Sequence, residues 1–449
     1  MPRRTTASTG NNNPFGTSDL LTNGVPLDAT SHAGGSWTNP QEHPSCTFDT
    51  PPPTLPETNS RKEQRKTSPH DAMSPAPQGA IGGRLLQFAH VWAETTTDRW
   101  VLQTVSYGYS LEFSKQPRER FIATPRSRNP HKHQNFAAAV SHLLTIQAIE
   151  SVPNQGQGKG VYSIFFLFLK KNESTRALLD LKWLNKRVAY KCFQMETLKS
   201  ISEAIIQNDW MASIEQSEAY LHIPIHREHR TFLRFCYGQS HFQYRALPFG
   251  LTSSPRVFTK VLVALVVHLR TLGVRVHPYL DDLLVRALSR LQCQKDVETI
   301  LECLRKHGFV VNLDKSMLVP SQVISHLGVV IDSSNFRIWL NKERVSKIQA
   351  LMQQVVASES TDLMILAKLQ GMLVCCQDLV SWSRFHSRPL LQRLLLFQRQ
   401  ISQSKHMMIP LLPTLCQQLR WWLDSHRLTR VSLHSPVRKV VTPDASMVG

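Results

Sequence analysis

Cysteine pairs of the kind that hold metals or carry redox chemistry are missing from this sequence. Its eight cysteines are scattered over 449 residues, and none lies in a Cys-x-x-Cys pair or a zinc-like spacing with histidine. This pattern argues against a zinc-ribbon protein and is typical of reduced intracellular thiols. The cysteines are Cys46, Cys192, Cys236, Cys293, Cys303, Cys375, Cys376 and Cys416.

Long apolar runs are missing as well. A helix that crosses a membrane needs about 18 or more consecutive apolar residues. The run 161–169 is too short, and the run 257–269 contains Lys260 and His268. The first residues, Pro2-Arg3-Arg4, are followed by polar residues rather than by the apolar stretch of a signal peptide. We therefore expect an intracellular protein, in the cytoplasm, the nucleus or both, with no membrane partner.

Acidic residues are few relative to basic ones. The chain has 33 Asp and Glu against 52 Lys and Arg, a formal charge of +19. Residues 1–80 contain six basic and seven acidic residues, a net charge of −1, so the rest of the chain carries +20. A folded region with so large a positive charge favours a polyanionic partner, and nucleic acid is the simplest one.

Composition divides the chain at about residue 80. Residues 1–80 contain 12 of the 26 prolines and little apolar periodicity, which predicts a disordered tail. After that point strands and helices alternate and long helices come late, which predicts an α+β fold. The predicted helices are 136–149, 195–207, 254–272 and 291–307, and residues 341–356 and 363–397 are predicted to be mostly helical. The main predicted strands are 161–169, 176–181, 210–215, 231–236, 241–246, 309–313 and 317–319.

Two adjacent carboxylates, Asp281 and Asp282, lie between the apolar runs 274–276 and 283–285. This pattern predicts a β-hairpin with its acids at the tip. Aspartate is common in turns because its side chain bonds to nearby backbone, so a purely structural role is one interpretation. The other is a site for a divalent cation, because hard oxygen ligands suit Mg²⁺ and two paired acids repel each other without a cation.

A leader run and four short motifs follow one another along the chain. They are Gly83-Arg84-Leu85 with Trp92, Trp100, Gly108-Tyr109 and Glu112-Phe113; Leu247-Pro248-Phe249-Gly250-Leu251 with Ser254-Pro255; Tyr279-Leu280-Asp281-Asp282; Gly308-Phe309 with Asn312 and Lys315-Ser316; and His326-Leu327-Gly328. In this order they resemble the leader and motifs B to E of retrotransposon reverse transcriptases, most closely the DIRS type. The resemblance covers roughly residues 81–445.

The resemblance implies a right-hand polymerase fold of fingers, palm and a helical thumb or connection. The implied divisions are a disordered tail, 1–80; the leader and the start of the fingers, 81–155; fingers and palm, 156–340; the thumb or connection, 341–430; and the start of a ribonuclease H domain, 431–449. That last segment includes Val441-Thr442-Pro443-Asp444, which resembles the opening strand of such a domain. Because the later carboxylates of a ribonuclease H domain would be missing, we expect a truncated domain without that activity.

The resemblance also implies a catalytic centre. Asp281 would coordinate the metals that activate the primer 3′-hydroxyl, with Asp282 as a weaker partner. The cofactor would be two Mg²⁺ ions, with Mn²⁺ as a substitute, because two metals clamp the attacking and leaving oxygens. The partners would be an RNA template, an RNA–DNA or DNA primer duplex, and dNTPs.

Nucleotide contacts follow from the same resemblance. Tyr220 falls at the sugar-gate position, where a bulky ring would exclude a ribose 2′-hydroxyl; a core aromatic is the alternative. Lys170 or Lys171, with Arg176, match the triphosphate contacts of the fingers. Gly250 would allow the template–primer to approach the backbone closely. Phe249 would pack under the base or in the core, and Lys315 would contact phosphate, donate a proton or lie solvated at the surface.

Motif A departs from the family pattern. Glu215 and Glu218 occupy positions where the family has aspartate. Glutamate keeps the charge of the main metal ligand but moves the carboxylate by one methylene, and Mg²⁺ demands near-octahedral geometry. A displacement of about 1 Å can cost about 100-fold in rate. We therefore expect Glu215 to bind metal more weakly and polymerisation to be impaired.

Two other interpretations remain open at this stage. A non-catalytic relic or domesticated protein would keep the fold and the basic cleft, and it would bind nucleic acid in a salt-sensitive way. An RNA-dependent RNA polymerase shares the palm, but Tyr220 argues against it. The expected function is RNA-directed DNA polymerisation with reduced activity.

Overall fold

Strands and helices alternate along the chain, as predicted, and helices predominate after residue 341. The computed structural model describes residues 80–126, 128–169, 175–377, 379–403, 406–424, 428 and 431–433. The predicted disordered tail lies outside these residues except for Ala80, and so does the predicted ribonuclease H segment after residue 433.

The described strands are short, apart from one. They are β1 (Ile149–Ser151), β2 (Phe165–Leu169), β3 (Thr175–Leu179), β4 (Trp210–Gln216), β5 (Arg234–Tyr237), β6 (Ser240–Tyr244), β7 (Val276–Tyr279), β8 (Asp282–Ala287), β9 (Val311–Ser321), β10 (Val323–His326), β11 (Val329–Asp332), β12 (Arg337–Leu340), β13 (Ser360–Asp362), β14 (Met408–Pro410) and β15 (Val431–Ser432). The two short strands predicted at 309–313 and 317–319 form the single strand β9.

The helices follow the predicted apolar periodicity in most places. They are α1 (Ala89–Thr95), α2 (Arg99–Tyr107), α3 (Pro130–Thr145), α4 (Lys182–Asn185), α5 (Leu198–Ala204), α6 (Ser254–Thr271), α7 (Arg290–Lys306), α8 (Lys342–Val356), α9 (Leu363–Val374), α10 (Ser383–Leu395), α11 (Gln398–Ser402) and α12 (Pro413–Arg420). Among the described residues, none of these helices is both long enough and apolar enough to cross a membrane.

The central sheet has the strand order β7-β8-β4-β9, and its neighbouring strands are antiparallel. Because successive side chains of a strand point to opposite faces, each strand divides its residues between two sides. Ala212 and Leu283 join a core formed with α6 and α7. Met211 and Leu284 join a second core formed with α8, α9 and α10. The sheet is therefore covered on both faces, with β4 at its centre.

The leader, residues 80–113, packs into the first of these cores. Trp92 is fully buried, and its indole Nε1 donates a hydrogen bond to the carbonyl oxygen of His307, 3.1 Å away. The hydroxyl of Thr95 lies 2.7 Å from Nε2 of the same histidine. The leader is thus attached to the loop between α7 and β9, where the Gly308-Phe309 motif begins.

The C-terminal part is helical, and residues 363–397 are mostly helical, as predicted, but they form two helices. α9 ends at Val374, and α10 begins only at Ser383. Trp382 between them adopts a left-handed conformation with φ of 65°. A residue in that conformation cannot be part of a right-handed helix, so α10 begins after Trp382, and α9 and α10 pack on each other.

Candidate active site

Glu215 and Asp282 lie directly opposite each other on the adjacent antiparallel strands β4 and β8. Directly opposed residues on such strands project from the same face, with Cβ atoms about 5 Å apart. Both lie at the end of the sheet, beside the β7–β8 turn. Strand pairing therefore brings one carboxylate from motif A next to one from the Asp281-Asp282 hairpin.

The β7–β8 turn presents Asp281 beside this pair. Tyr279 and Asp282 close the hairpin, which leaves a two-residue loop. Leu280 in this loop has φ of 53°, a conformation that costs a non-glycine residue about 1–3 kcal/mol. The carbonyl oxygen of Asp281 accepts a 2.9 Å hydrogen bond from the amide of Gln216, so the loop is fastened to the end of β4. The sequence-based prediction of a hairpin with its acids at the tip is confirmed.

The acidic groups influence one another electrostatically. The pKa of Asp282 is raised from 3.8 to about 6, first because burial disfavours its charged form. The neighbouring carboxylates of Asp281 and Glu215 raise the pKa further, whereas the ammonium of Lys315 lowers it. Three negative charges therefore crowd one corner of the sheet, which is the setting that a bound cation would relieve.

Lys315 lies against Glu215. Its Nζ is 2.6 Å from Oε1 of Glu215, and the lysine side chain is 58% exposed whereas that of Glu215 is 24% exposed. The adjacent Ser316 accepts a hydrogen bond from the Glu215 amide at 3.0 Å. Lys315 was predicted to contact phosphate, donate a proton or lie solvated at the surface, and the structure brings it to the predicted metal ligand.

Tyr220 and Phe249, both predicted to contact the nucleotide, are brought together. Their ring centroids are 4.9 Å apart, and Phe258 lies 5.5 Å from Tyr220 on another side. Tyr220 lies in the short 3₁₀ turn Ala219–His222 that follows β4, and it is half-buried. Its ring therefore packs against two other rings without being fully buried.

Gly250, which was predicted to allow the template–primer to approach the backbone, lies close to the backbone of strand β3. Its φ is 96°, and a Cβ placed there would lie 2.8 Å from the carbonyl oxygen of Leu179. Asn185 fixes the same loop through two 2.9 Å hydrogen bonds, donating to the Gly250 carbonyl and accepting from the Thr252 amide. Sequence reasoning missed Asn185, because an isolated asparagine at the end of a short helix has no distinctive pattern.

His222 also escaped the sequence reasoning. It is fully buried, its Nδ1 lies 3.1 Å from the carbonyl oxygen of Ala219, and its Nε2 accepts a 3.0 Å hydrogen bond from the amide of Val310. Burial lowers its pKa to about 4, so the ring is neutral at pH 7. The histidine thus ties the turn after β4 to the start of β9.

Three predicted triphosphate contacts are not placed. Lys170 and Lys171 lie outside the described residues, and the side chain of Arg176 does too. The backbone of Arg176 pairs with Phe168 in the β2–β3 hairpin, so the predicted hairpin of the fingers is confirmed.

The acidic corner fits a hard divalent cation by its chemistry. Glu215, Asp281 and Asp282 offer carboxylate oxygens. The pKa of Asp282 is raised first by burial and then by the charges of the other two carboxylates. Within the described ranges, no three His, Cys, Asp or Glu side chains are already arranged to hold a metal ion. Glu215 is instead paired with Lys315 through Oε1, so a metal ligated by that oxygen would have to replace the ammonium.

Comparison with known proteins defines the class of this domain. Residues 168–331 match the family model described as reverse transcriptase (RNA-dependent DNA polymerase). The matched segment contains β4, the β7–β8 hairpin and β9, which together carry the acidic corner. The chain therefore contains a reverse transcriptase domain.

The chain is also similar to polyproteins of a virus and of a transposon. The chain is 22% identical over 218 residues to the enzymatic polyprotein of Figwort mosaic virus (strain DxS), which covers 46% of this chain and 30% of that polyprotein. It is 24% identical over 199 residues to the transposon Tf2-3 polyprotein of Schizosaccharomyces pombe, covering 42% of this chain and 15% of that protein. The chain thus spans less than a third of each of these relatives.

Solved structures give the same fold. The foamy viral protease-reverse transcriptase dRH in complex with double-stranded DNA superposes with a TM-score of 0.53 at 17% identity, over 76% of this chain and 59% of that chain. The foamy viral protease-reverse transcriptase in complex with an RNA/DNA hybrid has the same TM-score, over 76% of this chain and 46% of that one. The predicted polymerase fold is therefore confirmed.

Proposed function

We propose that this protein is an RNA-directed DNA polymerase of a retroelement and that it works at the corner formed by Glu215, Asp281 and Asp282. The observation that carries the proposal is the cross-strand pairing of Glu215 with Asp282 beside the Asp281 turn. Nucleotidyl transfer needs several carboxylates at one point, because developing charge on the attacking and leaving oxygens must be balanced. The match of residues 168–331 to the reverse transcriptase model supports the same assignment.

The three carboxylates would hold two Mg²⁺ ions, for which Mn²⁺ could substitute. When bound, the metals would polarise the primer 3′-hydroxyl and offset the charge of the triphosphate. Glu215 and Asp281 would supply the main oxygen ligands, and Asp282 would support them from the first position of β8. Because burial and its acidic neighbours favour the protonated form of Asp282, its role as a ligand should strengthen as pH rises above about 6.

Selection of the nucleotide would depend on Tyr220 and Phe249. The Tyr220 ring is held against Phe249 and Phe258, so it cannot swing freely away from an incoming sugar. A ring fixed at that position would obstruct a ribose 2′-hydroxyl and favour dNTPs. Lys170, Lys171 and Arg176 would contact the triphosphate, since Lys is a compact charge and Arg a bidentate donor for phosphate.

We further infer that the element is of the DIRS type. Its template would be RNA, and the polymerase would extend the primer of an RNA–DNA or DNA duplex. The order of the leader and the four motifs supports the DIRS assignment. The charge of +20 after residue 80 supports a polyanionic partner. The structurally similar foamy viral enzymes were solved with double-stranded DNA or an RNA/DNA hybrid.

Because position 215 is glutamate, we expect a weakened polymerase. The second candidate function is that of a non-catalytic nucleic-acid-binding relic or domesticated protein. One observation favours the second: Glu215 is occupied by the ammonium of Lys315 at 2.6 Å. The two candidates differ in one measurable property, because a relic would bind RNA–DNA duplex in a salt-sensitive way without extending a primer.

Primer extension on a primed RNA template with Mg²⁺ and dNTPs tests the proposal. We expect weak extension by the natural sequence, none by Asp281→Ala, and a gain of up to about 100-fold with Glu215→Asp, because aspartate restores the shorter ligand. Extension by neither the natural sequence nor Glu215→Asp, with duplex binding retained, would overturn the polymerase proposal in favour of the relic. A preference for rNTPs over dNTPs would instead indicate an RNA polymerase.

A further inference from the structure

The pairing of β4 with β9 is interrupted opposite the candidate active site. Ser213 pairs with Met317, and Glu215 pairs with Asn312. Two steps along β4 therefore correspond to five along β9, so the extra residues of β9 bulge out of the ladder. Lys315 and Ser316 lie in this bulge. Bulges of this kind redirect side chains, and they are frequent beside active sites.

Ser316 closes the hydrogen-bonding gap that the bulge leaves in the backbone. Its Oγ accepts the 3.0 Å hydrogen bond from the amide of Glu215 and donates a 2.6 Å hydrogen bond to the carbonyl of Asn312. The Asn312 side chain in turn accepts a 3.3 Å hydrogen bond from the Lys315 amide. The bulge is therefore an ordered turn whose backbone is fixed to the same residue, Glu215, that its lysine contacts.

The ordered bulge directs the Lys315 ammonium onto Glu215. Nζ lies 2.6 Å from Oε1, within the range of a charge-assisted hydrogen bond. The carboxylate is mostly buried, whereas the lysine side chain is 58% exposed, so the amine has a path back to water. A divalent cation ligated by Glu215 would compete with the ammonium for the same carboxylate.

We propose that Lys315 is a built-in counter-cation that competes with the divalent metal for Glu215 and so sets the metal affinity of the site. This inference rests on the proposed metal site. With no metal bound, the ammonium offsets one of the three crowded negative charges. Metal binding through Oε1 requires the ammonium to leave. The exposed lysine side chain makes this displacement inexpensive, since partly exposed ion pairs contribute about 1 kcal/mol or less. Lys315 would act as a positioning residue in this role, and Ser316 would keep it in register.

The loss of any positive charge near the site would also favour a cation, so the design must separate competition from general electrostatics. Lys315→Gln removes the ammonium, and Lys315→Arg retains the charge. Glu215→Gln removes the carboxylate for which the two cations compete. Lys306→Gln is a matched control, because Lys306 is an exposed lysine paired at 3.4 Å with Glu302 on α7.

The experiment titrates the full chain with Mn²⁺, without nucleotide or primer, and measures the binding by isothermal titration calorimetry. Circular dichroism would verify that each variant is folded. We expect Lys315→Gln to bind Mn²⁺ about fivefold more tightly than the natural sequence. Lys315→Arg and Lys306→Gln should leave the affinity within about twofold, and Lys315→Gln should bring no gain in the Glu215→Gln background.

An unchanged Mn²⁺ affinity in Lys315→Gln would contradict the proposed competition between Lys315 and the metal. An equal gain in Mn²⁺ affinity with and without Glu215 would contradict it as well. If Lys315→Gln binds Mn²⁺ and the natural sequence does not, the result would support the competition and mean that the ammonium prevents metal binding. If neither the natural sequence nor Lys315→Gln binds Mn²⁺, the metal site of the proposed function fails, and the inference fails with it. Measurable binding with no response to Lys315 would leave the metal site intact and reject only the role of the lysine.

Discussion

The carboxyl group of Asp282 is held where its neutral form is favoured. Burial and the charges of Asp281 and Glu215 raise its pKa from 3.8 to about 6. A raised pKa means that the folded protein binds this proton more tightly than the unfolded chain does. The resulting stabilisation is fully present below about pH 3.8 and is lost as pH rises through about 6.

We therefore predict that Asp282→Asn removes a pH-dependent cost of folding. Without metal at pH 8, the variant should be more stable than the natural sequence by about 1–2 kcal/mol, allowing for the partial exposure of the carboxyl group. At pH 4 the difference should be close to zero. Urea denaturation at both pH values measures it. Asp314→Asn, on exposed β9, is the control for losing one negative charge, and an equal effect there would contradict the prediction.

At the scale of single residues, the sequence predicted which side chains carry the chemistry but not how they are paired. Asp281, Asp282 and Glu215 were identified from motifs, and the strand register brings Glu215 opposite Asp282. The contact between Glu215 and Lys315 depends on the bulge in β9, which is set by tertiary pairing between segments 100 residues apart. No local pattern indicates such a bulge, so Ser316 gave no signal as a positioning residue.

At the scale of elements, local signals succeeded where the element is bounded by its own residues. α6 begins near Ser254-Pro255 and ends before Gly273, and both boundaries were predicted. The helix predicted at 136–149 is instead Pro130–Thr145, because Asn129 caps it and Gln147 turns the chain with φ of 56°. The residues after this turn form β1, which pairs with β6 nearly 100 residues later. Apolar periodicity alone cannot report a pairing over that distance.

The loop containing Gly250 offers a test at this scale. An alanine at this position must adopt φ of 96°, and its Cβ would lie 2.8 Å from the Leu179 carbonyl. We predict that Gly250→Ala lowers the free energy of unfolding by about 2–3 kcal/mol and accelerates hydrogen exchange at the Thr252 amide, which Asn185 binds. Urea denaturation and hydrogen exchange followed by NMR measure the two effects.

Gly273→Ala is a matched control for that substitution. Gly273 also has positive φ, 84°, but a Cβ there would meet nothing within 4 Å. It should therefore show only the backbone cost, about 1–2 kcal/mol, and no change at Thr252. If the two variants lost equal stability and Thr252 exchanged at its normal rate in both, the close approach to Leu179 would have no energetic weight.

At the scale of the whole molecule, the match to the reverse transcriptase model is shorter than the structural unit. The match begins at residue 168, whereas Leu85, Trp92 and Val105 of the leader are fully buried in the same core as α6 and α7. Gly308 begins the motif that leads into β9, and a Cβ placed on it would lie 2.5 Å from the ring of Phe88. The leader is therefore part of the same folded body as the reverse transcriptase match.

Trp92 tests this conclusion directly. It is fully buried, and it donates a hydrogen bond to the His307 carbonyl just before β9. We predict that Trp92→Ala lowers the free energy of unfolding by about 3–5 kcal/mol, as for other large-to-small substitutions in cores. Tyr107→Ala, which removes an aromatic ring that is 72% exposed in the same leader, should change it by about 0.5 kcal/mol or less. Urea denaturation followed by tryptophan fluorescence and circular dichroism measures both. Equal, small losses for the two variants would mean that the leader packs on the polymerase without contributing to its stability, and the folding unit would then begin nearer residue 168.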